Sequence, residues 1–96
     1  MIIEFNKNES ILNISLDGRL DTITAPEFEE FLKSNLSGVV SVIIDCEKLV
    51  YVSSAGLRVL LALNKKIKNC LTLENVQELV MEVLEVTGFV NILKIK

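Results

Sequence analysis

The sequence predicts one α/β domain with a mixed, mostly parallel β-sheet that has an antiparallel edge and packs against about three helices. Half of the 96 residues are apolar, which is enough for one small core and too few for two. Short apolar or alternating segments, typical of strands, are followed by segments with apolar residues at helical spacing. Since strands and helices alternate after an initial strand pair, right-handed crossovers should join parallel strands beside an antiparallel edge.

The first two strands are predicted to form a hairpin. Residues 2–5 form a short apolar run, and residues 10–16 largely alternate apolar with polar side chains, as in a half-buried strand. Residues 6–9 are polar and predict the hairpin connection. Asp17 and Gly18 are turn residues, so we expect the second strand to end there.

A helix follows between two sets of boundary residues. Thr24 is a candidate N-cap, a proline suits the first turn, and Glu27 lies three residues after the cap. Apolar residues recur at helical spacing up to Leu36, and Ser37 with Gly38 would close the helix.

The middle of the chain predicts a strand and the second helix. Residues 39–44 are nearly all apolar and rich in β-branched side chains, which is typical of a strand covered on both faces. Asp45 is expected to end this strand and begin a loop that leads through apolar residues 49–52 to a helix over residues 54–68. The apolar surface of that helix is broad, so we expect it to be packed or to face a partner.

Three elements complete the predicted fold. Residues 70–74 are a short strand candidate, and residues 75–78 repeat the capping pattern before a third helix. Gly88 is expected to stop that helix in the left-handed conformation. Residues 92–95 predict a last short strand, although the neighbouring lysines suit an exposed edge equally well.

Composition excludes several classes of function. The net charge is −3 and the lysines cluster only weakly, so we expect no nucleic-acid partner. No apolar run reaches the roughly 18 residues of a spanning helix, so we expect no membrane insertion. The first residues lack the features of a signal peptide, and we expect an intact cytoplasmic protein. Cys46 and Cys70 form no metal or redox spacing, so we expect two reduced thiols that are buried or half-buried.

Candidate catalytic groups are few. The chain has no histidine, the commonest general base and metal ligand, and no Gly-x-Ser-x-Gly segment. Asp17, Asp21 and Asp45 are carboxylates at strand ends or turns, where aspartate usually binds backbone amides. The glycines form no phosphate-binding loop. We therefore expect no catalytic residue, no metal site, no cofactor and no enzymatic activity.

The most informative segment is the run Ser53-Ser54-Ala55-Gly56-Leu57, where an irregular segment turns into an apolar helix. The unpaired amides of a helix's first turn favour anions, so a phosphate on one of these serines would be accommodated there. Serine is also a preferred N-cap, and for the serine pair alone an ordinary cap is the commoner explanation. The residues by themselves leave both interpretations open.

Three segments occur in the order in which one known family carries them. Residues 39–61 combine an apolar strand, a loop and the serine run; residues 18–21 match a Gly-x-Leu/Ile-Asp turn; and residues 83–89 match the ending of a C-terminal helix. Together they resemble the STAS domain, specifically the free-standing bacterial anti-sigma factor antagonists, over residues 1–96. The resemblance implies a STAS-like α/β fold.

The resemblance also implies a function. Such a protein binds a serine-kinase anti-sigma factor and frees the sigma factor that the kinase holds. The kinase switches the antagonist off by phosphorylating the serine at the start of the second helix, which is Ser54 here, and a phosphatase restores it. The chain departs from the family at Ser53, where aspartate is frequent and where serine would act as the cap or compete as an acceptor. It also has a tighter helix–strand link at Lys68 and Asn69.

We expect the docking surface to be the exposed edge around the serine run, formed by Asp21, Ser53, Ser54, Ala55, Gly56, Leu57 and Arg58. An alternative is a STAS docking subunit of a lipid-transport or stress-signalling assembly, in which Ser54 is an unmodified cap. An enzyme that used Ser54 as its nucleophile would lack a histidine to activate it.

Overall fold

One sheet of five strands and three α-helices make up the fold; the computed structural model covers residues 1–96. None of the helices is both long and apolar enough to cross a membrane. The predicted α/β class with three helices is confirmed. In chain order the elements are β1 (Ile2–Asn8), β2 (Ile11–Leu20), α1 (Ala25–Asn35), β3 (Ser41–Val52), α2 (Ser54–Lys66), β4 (Leu71–Glu74), α3 (Glu78–Val86), a 3₁₀ turn (Phe89–Asn91) and β5 (Lys94–Ile95).

The strands lie in the sheet in the order in which they occur in the chain, β1-β2-β3-β4-β5. β1 pairs with β2 antiparallel, and the other neighbouring pairs are parallel. Because a parallel pair needs a crossover connection, α1 follows β2, α2 follows β3 and α3 follows β4. The predicted mostly parallel sheet with an antiparallel edge is confirmed.

The helices cover one face of the sheet. Buried side chains alternate along β2, and their neighbours on β3 and β4 join the helices in one cluster of 22 buried apolar residues. The opposite face holds an open groove of about 390 Å³ lined only by strand residues. The prediction of a strand covered on both faces is therefore wrong, since burial alternates along β3 and Ile43 is only half-buried. Val39 and Val40, which extend the apolar run in the sequence, precede the strand.

The boundaries of the hairpin strands also differ from the prediction. β1 extends to Asn8, so the turn has only two residues, and Glu9 adopts the left-handed conformation with φ 59°. β2 continues past Asp17 and Gly18 to Leu20. Its pairing with β3 shifts register on both sides of this dipeptide, and Gly18 has φ +115°. These irregularities bend the strand and allow it to continue through residues that elsewhere form turns.

β3 runs from Ser41 to Val52 without the break that was predicted at Asp45. The Asp45 carboxylate accepts hydrogen bonds from the Glu47 amide (3.0 Å) and the Asn75 side chain (3.1 Å). The aspartate thus satisfies a backbone amide within an irregular strand, and pairing with β2 and β4 keeps the strand extended.

Of the two predicted helix caps, Thr24 does occupy the N-cap position of α1 but without a capping hydrogen bond, whereas the one predicted at Asn75 is wrong. The Thr24 hydroxyl donates to the Arg19 carbonyl (2.7 Å) and accepts from the Asp21 amide (2.9 Å), so it makes no capping bond to α1. Asn75 lies before α3 in the left-handed conformation and its side chain binds Asp45, while α3 begins only at Glu78. The predicted left-handed stop after α3 is confirmed at Gly88, with φ +79°.

A buried asparagine closes the tight link between α2 and β4. α2 ends at Lys66, and Lys68 and Asn69 both have positive φ, 55° and 66°. Asn64 is 1% exposed; its Nδ2 donates to Asn69 Oδ1 (3.2 Å) and its Oδ1 accepts from the Leu71 amide (3.3 Å). These bonds satisfy the buried amide and fix the short connection.

We expect iodoacetamide to alkylate Cys70 and to spare Cys46 in the folded protein. Cys46 is 1% exposed, and burial, with a smaller effect of the Asp45 carboxylate, raises its pKa to about 12. Cys70 is half-buried. Because the thiolate is the reacting form, intact-mass spectrometry at about pH 8 should find a single adduct on the folded chain and a second only after unfolding.

A Cys70→Ser variant is the control, and rapid labelling of its folded form would contradict a buried thiol. The folded chain holds the Cys46 proton more tightly than the unfolded chain, whose thiol pKa is near 9.0. The contribution of this group to stability is therefore complete below that pH and is lost as the pH rises toward 12.

Candidate functional site

The predicted site residues meet at the end of the sheet where β2 and β3 finish side by side. Leu20 and Val52 are paired at the ends of these parallel strands. β2 is followed by the loop that begins with Asp21, and β3 is followed by α2 after a single residue. The Ser53 amide donates to the Leu20 carbonyl (2.9 Å), and this hydrogen bond links the ends of the two strands. Asp21 and the serine run come together because the carboxyl ends of parallel strands lie at one edge of the sheet.

The two serines differ in their contacts. Ser53 is the N-cap of α2: its backbone is extended (φ −97°, ψ 175°), and its Oγ accepts from the Gly56 amide (3.3 Å). Ser54 is the first helical residue, and its exposed hydroxyl has no hydrogen-bond partner. The amides of Ser54 and Ala55 precede the first intrahelical hydrogen bond and stay open to an acceptor. The structure gives the cap to Ser53 and leaves Ser54 free.

Gly56 and Leu57 lie beneath the serines. A Cβ atom at Gly56 would lie 2.7 Å from the Leu20 carbonyl oxygen and 2.9 Å from Val52 Cγ2. Leu57 is 5% exposed and belongs to the core. Their predicted exposure is therefore wrong, because one side of the first turn faces the sheet, while their part in partner binding stays a prediction. These residues instead hold that turn against the strand ends.

Asp21 organises the loop between β2 and α1. Its Oδ1 accepts hydrogen bonds from the amides of Ile23 (3.0 Å) and Thr24 (3.1 Å), and its Oδ2 lies 3.6 Å from Nε of Arg19. The hydrogen bond from the Thr24 amide is the main cause that holds the pKa of the Asp21 carboxyl below its usual value. Desolvation opposes it, and the Ile23 amide, the Thr24 hydroxyl and the Arg19 charge lower the pKa further. Asp21 thus positions this loop through its backbone contacts.

The exposed part of the site continues into a groove between α1 and α2. Ala55 is half-buried and Arg58 is exposed. The α1 side of the groove is absent from the predicted site residues. The spacing of Ala55, Val59 and Ala62 at i, i+4 and i+7 places the α2 side on one face of that helix, but it carries no information about α1. The groove has a volume of about 460 Å³ and is lined by Thr22, Ala25, Pro26, Glu29, Ala55, Arg58, Val59 and Ala62.

The carboxylates of the chain do not gather into a metal site. No cluster of three or more histidine, cysteine, aspartate or glutamate side chains could hold a metal ion. Asp21 and Asp45 each accept hydrogen bonds from backbone amides. What this end of the sheet offers is a free serine hydroxyl, two open amides and an exposed arginine.

The sequence is similar to one family along nearly its whole length. Residues 3–96 match the profile of the family described as the STAS domain. BtrV of Bordetella bronchiseptica, a protein assigned as an anti-sigma factor antagonist, is 32% identical over 96 residues, covering 96% of this chain and 83% of BtrV.

Solved structures share the fold. An assigned anti-sigma factor antagonist of Thermotoga maritima has a TM-score of 0.88 at 18% identity, covering 97% of this chain and 84% of that chain. The anti-sigma factor antagonist SpoIIAA in its unphosphorylated form has a TM-score of 0.76 at 16% identity, covering 99% and 87%. Phosphorylated SpoIIAA of Bacillus gives 0.74 at 16% identity, covering 99% and 91%. At these identities the likeness establishes a SpoIIAA-like fold alone.

We expect Gly56→Ala to destabilise the protein by about 2 kcal/mol. In an open helix this change stabilises by up to about 1 kcal/mol, but here the new Cβ meets a backbone carbonyl that moves only if β2 moves. Urea unfolding followed by circular dichroism measures the effect. Gly88→Ala is the matched control: its Cβ would meet no atom within 4 Å, so only strain at φ +79° remains, about 1 kcal/mol. A fully stable Gly56→Ala protein would contradict the close contact.

We expect the amide signals of Ile23 and Thr24 to titrate with Asp21 in ¹H–¹⁵N NMR spectra recorded through the acid range. Since the pKa of Asp21 lies below 3.8, its hydrogen bonds and their contribution to stability persist above that pH and disappear only as the pH falls through the lower folded value. Asp21→Asn keeps an acceptor oxygen without the titration, so its signals should stay constant. A wild-type midpoint at or above 3.8 would argue against the hydrogen-bonded carboxylate.

Proposed function

The chain belongs to the STAS domain family, and on that premise we propose that it is an anti-sigma factor antagonist controlled by phosphorylation of Ser54. Its partners are a serine-kinase anti-sigma factor, which it binds so that a sigma factor is released, and a phosphatase that removes the phosphate. It acts in the cytoplasm by binding rather than by catalysis, with residues 1–96 as one STAS domain. Support comes from the anti-sigma factor antagonist assignment of BtrV and from the phosphorylated form in which SpoIIAA is known.

The observation that carries this proposal is the contrast between the two serines. The Ser53 oxygen is engaged as the helix cap, whereas the Ser54 hydroxyl is exposed and has no partner. The amides of Ser54 and Ala55 beside it stay open, and the positive end of the helix dipole favours an anion at this position. A kinase can therefore reach Ser54, and the fold can accept the product.

Phosphorylation would proceed by ordinary phosphoryl transfer. The Ser54 oxygen attacks the γ-phosphorus of ATP, an O–P bond forms, and the bond from that phosphorus to the bridging oxygen of ADP breaks. The hydroxyl proton passes to a carboxylate base of the kinase. Water, activated by the phosphatase, later cleaves the same O–P bond and releases inorganic phosphate.

The switch follows from the position of the new charge. A phosphoserine carries nearly two negative charges at neutral pH and lies comfortably at a helix start. A partner packed over Ser54 would have to cover that anion, and burying an uncompensated charge disfavours binding by roughly 3 to 5 kcal/mol. This corresponds to more than about a hundredfold loss of affinity, enough to release the kinase.

We expect the cognate anti-sigma factor kinase and ATP to phosphorylate Ser54 alone, as read by peptide mass spectrometry. Ser54→Ala should abolish the modification. Ser53→Ala should lose about 1 kcal/mol of stability with the helix cap and still be phosphorylated. Ser54→Asp should bind the kinase at least about tenfold more weakly than wild type, since it adds one charge instead of nearly two.

Ser54→Thr, which keeps a hydroxyl, is the matched control for the alanine variant. Phosphate found on Ser53 instead would overturn the assignment of the acceptor. If the kinase does not phosphorylate the chain and binds Ser54→Asp as tightly as wild type, the docking-subunit alternative is favoured.

A further inference from the structure

Arg58 is a cation without a partner at the edge of the site. It is exposed on α2 and makes no ion pair, hydrogen bond or stacking contact. The chain's other arginine, Arg19, lies 3.6 Å from the Asp21 carboxylate and 4.3 Å from the ring centroid of Tyr51. The Arg19 guanidinium therefore has partners within the chain, whereas that of Arg58 is available to a ligand or partner.

Arg58 lies one helical turn from Ser54, since residues four apart share a face of the helix with Cβ atoms about 5–6 Å apart. A phosphate on Ser54 would present acceptor oxygens within reach of the guanidinium, which binds such groups through two parallel N–H donors. The open amides of Ser54 and Ala55 lie at the same end of α2. The phosphate and Arg58 would therefore form an intrahelical ion pair.

Arg58 also lines the groove between α1 and α2. Most groove residues are small or apolar, and the one other charged residue of its lining is Glu29, with which Arg58 forms no ion pair. A partner segment that fills the groove would bury an apolar side chain against Ala55 and Val59. It would need an acidic group beside Arg58 to complement the charge.

We propose that Arg58 exchanges one ion-pair partner for another when Ser54 is phosphorylated. While Ser54 is unmodified, the guanidinium pairs with a carboxylate on a segment of the anti-sigma factor kinase that docks in the groove; once Ser54 is phosphorylated, it pairs with the phosphate and the kinase loses that contact. The inference rests on the proposed function and names the chemistry of the partner segment. One guanidinium compensates only part of the nearly two negative charges of the phosphate, so the kinase loses its contact with Arg58 and would still have to cover the remaining charge.

Kinase affinity measured for the unmodified and phosphorylated forms tests this competition. Arg58→Gln should weaken binding of the unmodified form about tenfold. The same substitution should barely change the kinase affinity of the phosphorylated form, because in the phosphorylated wild type Arg58 is paired with the phosphate and does not contact the kinase. The factor by which phosphorylation weakens binding should therefore be about tenfold smaller in Arg58→Gln than in wild type. Lys65→Gln removes an exposed charge from the same helix outside the groove, and both of its affinities should stay within about twofold of wild type.

A second measurement needs no partner. Phosphoserine is placed at position 54 by genetic encoding, and the phosphate is titrated by ³¹P NMR. The ion pair favours the dianion, so the second phosphate pKa should be lower with Arg58 present than in Arg58→Gln, and Lys65→Gln should match wild type.

The outcomes separate the two claims. A wild-type chain that is neither phosphorylated on Ser54 nor bound by the kinase overturns the proposed function and this inference together. If the wild type binds and is phosphorylated, but Arg58→Gln behaves like Lys65→Gln, only the inference fails. Equal weakening of both forms by Arg58→Gln, or equal phosphate pKa values in the two proteins, also overturns the competition.

Discussion

The close approach of α2 to the end of β2 is the constraint on which the site depends. Gly56 has no side chain, so the first helical turn lies directly against the Leu20 carbonyl, and the Ser53 amide donates to the same oxygen (2.9 Å). A larger residue at this point would lift the helix from the sheet and tilt both serines. With the contact in place, the sheet holds the helix start and the neighbouring loop as one surface. A surface that is ordered before association loses less entropy on binding.

The polar side chains around this contact form two groups. Asp21 and Ser53 have the residue types of a functional site, but their oxygens accept hydrogen bonds from backbone amides and so maintain the local fold. Ser54 and Arg58 have no such partners. The charge of the second group can therefore change while the hydrogen bonds of the first group stay intact. A covalent modification can then alter the surface without unfolding the helix start.

Periodicity predicted the elements because apolar spacing follows directly from which face is buried. The predicted strand ends were wrong where pairing with adjacent strands decides the conformation. Asp17, Gly18 and Asp45 favour turns in isolation, yet the adjacent strands keep them extended. The motif brought Ser54 to the correct helix start. The buried Asn64 and the α1 side of the groove were not predicted, because their contacts depend on tertiary packing that no local pattern specifies.

The order of the strands affects how the chain folds. Each new strand pairs with the one completed just before it, so no early strand waits for a partner from the far end of the chain. Each connection between paired strands therefore spans only neighbouring segments of the chain, which lowers the entropy lost on closing it compared with pairing strands from opposite ends of the chain. During synthesis, the growing edge of the sheet is always the most recently made strand. β1, at the opposite edge, stays without an outer neighbour from the first pairing to the finished sheet, so it is the edge that is open longest to pairing with other chains.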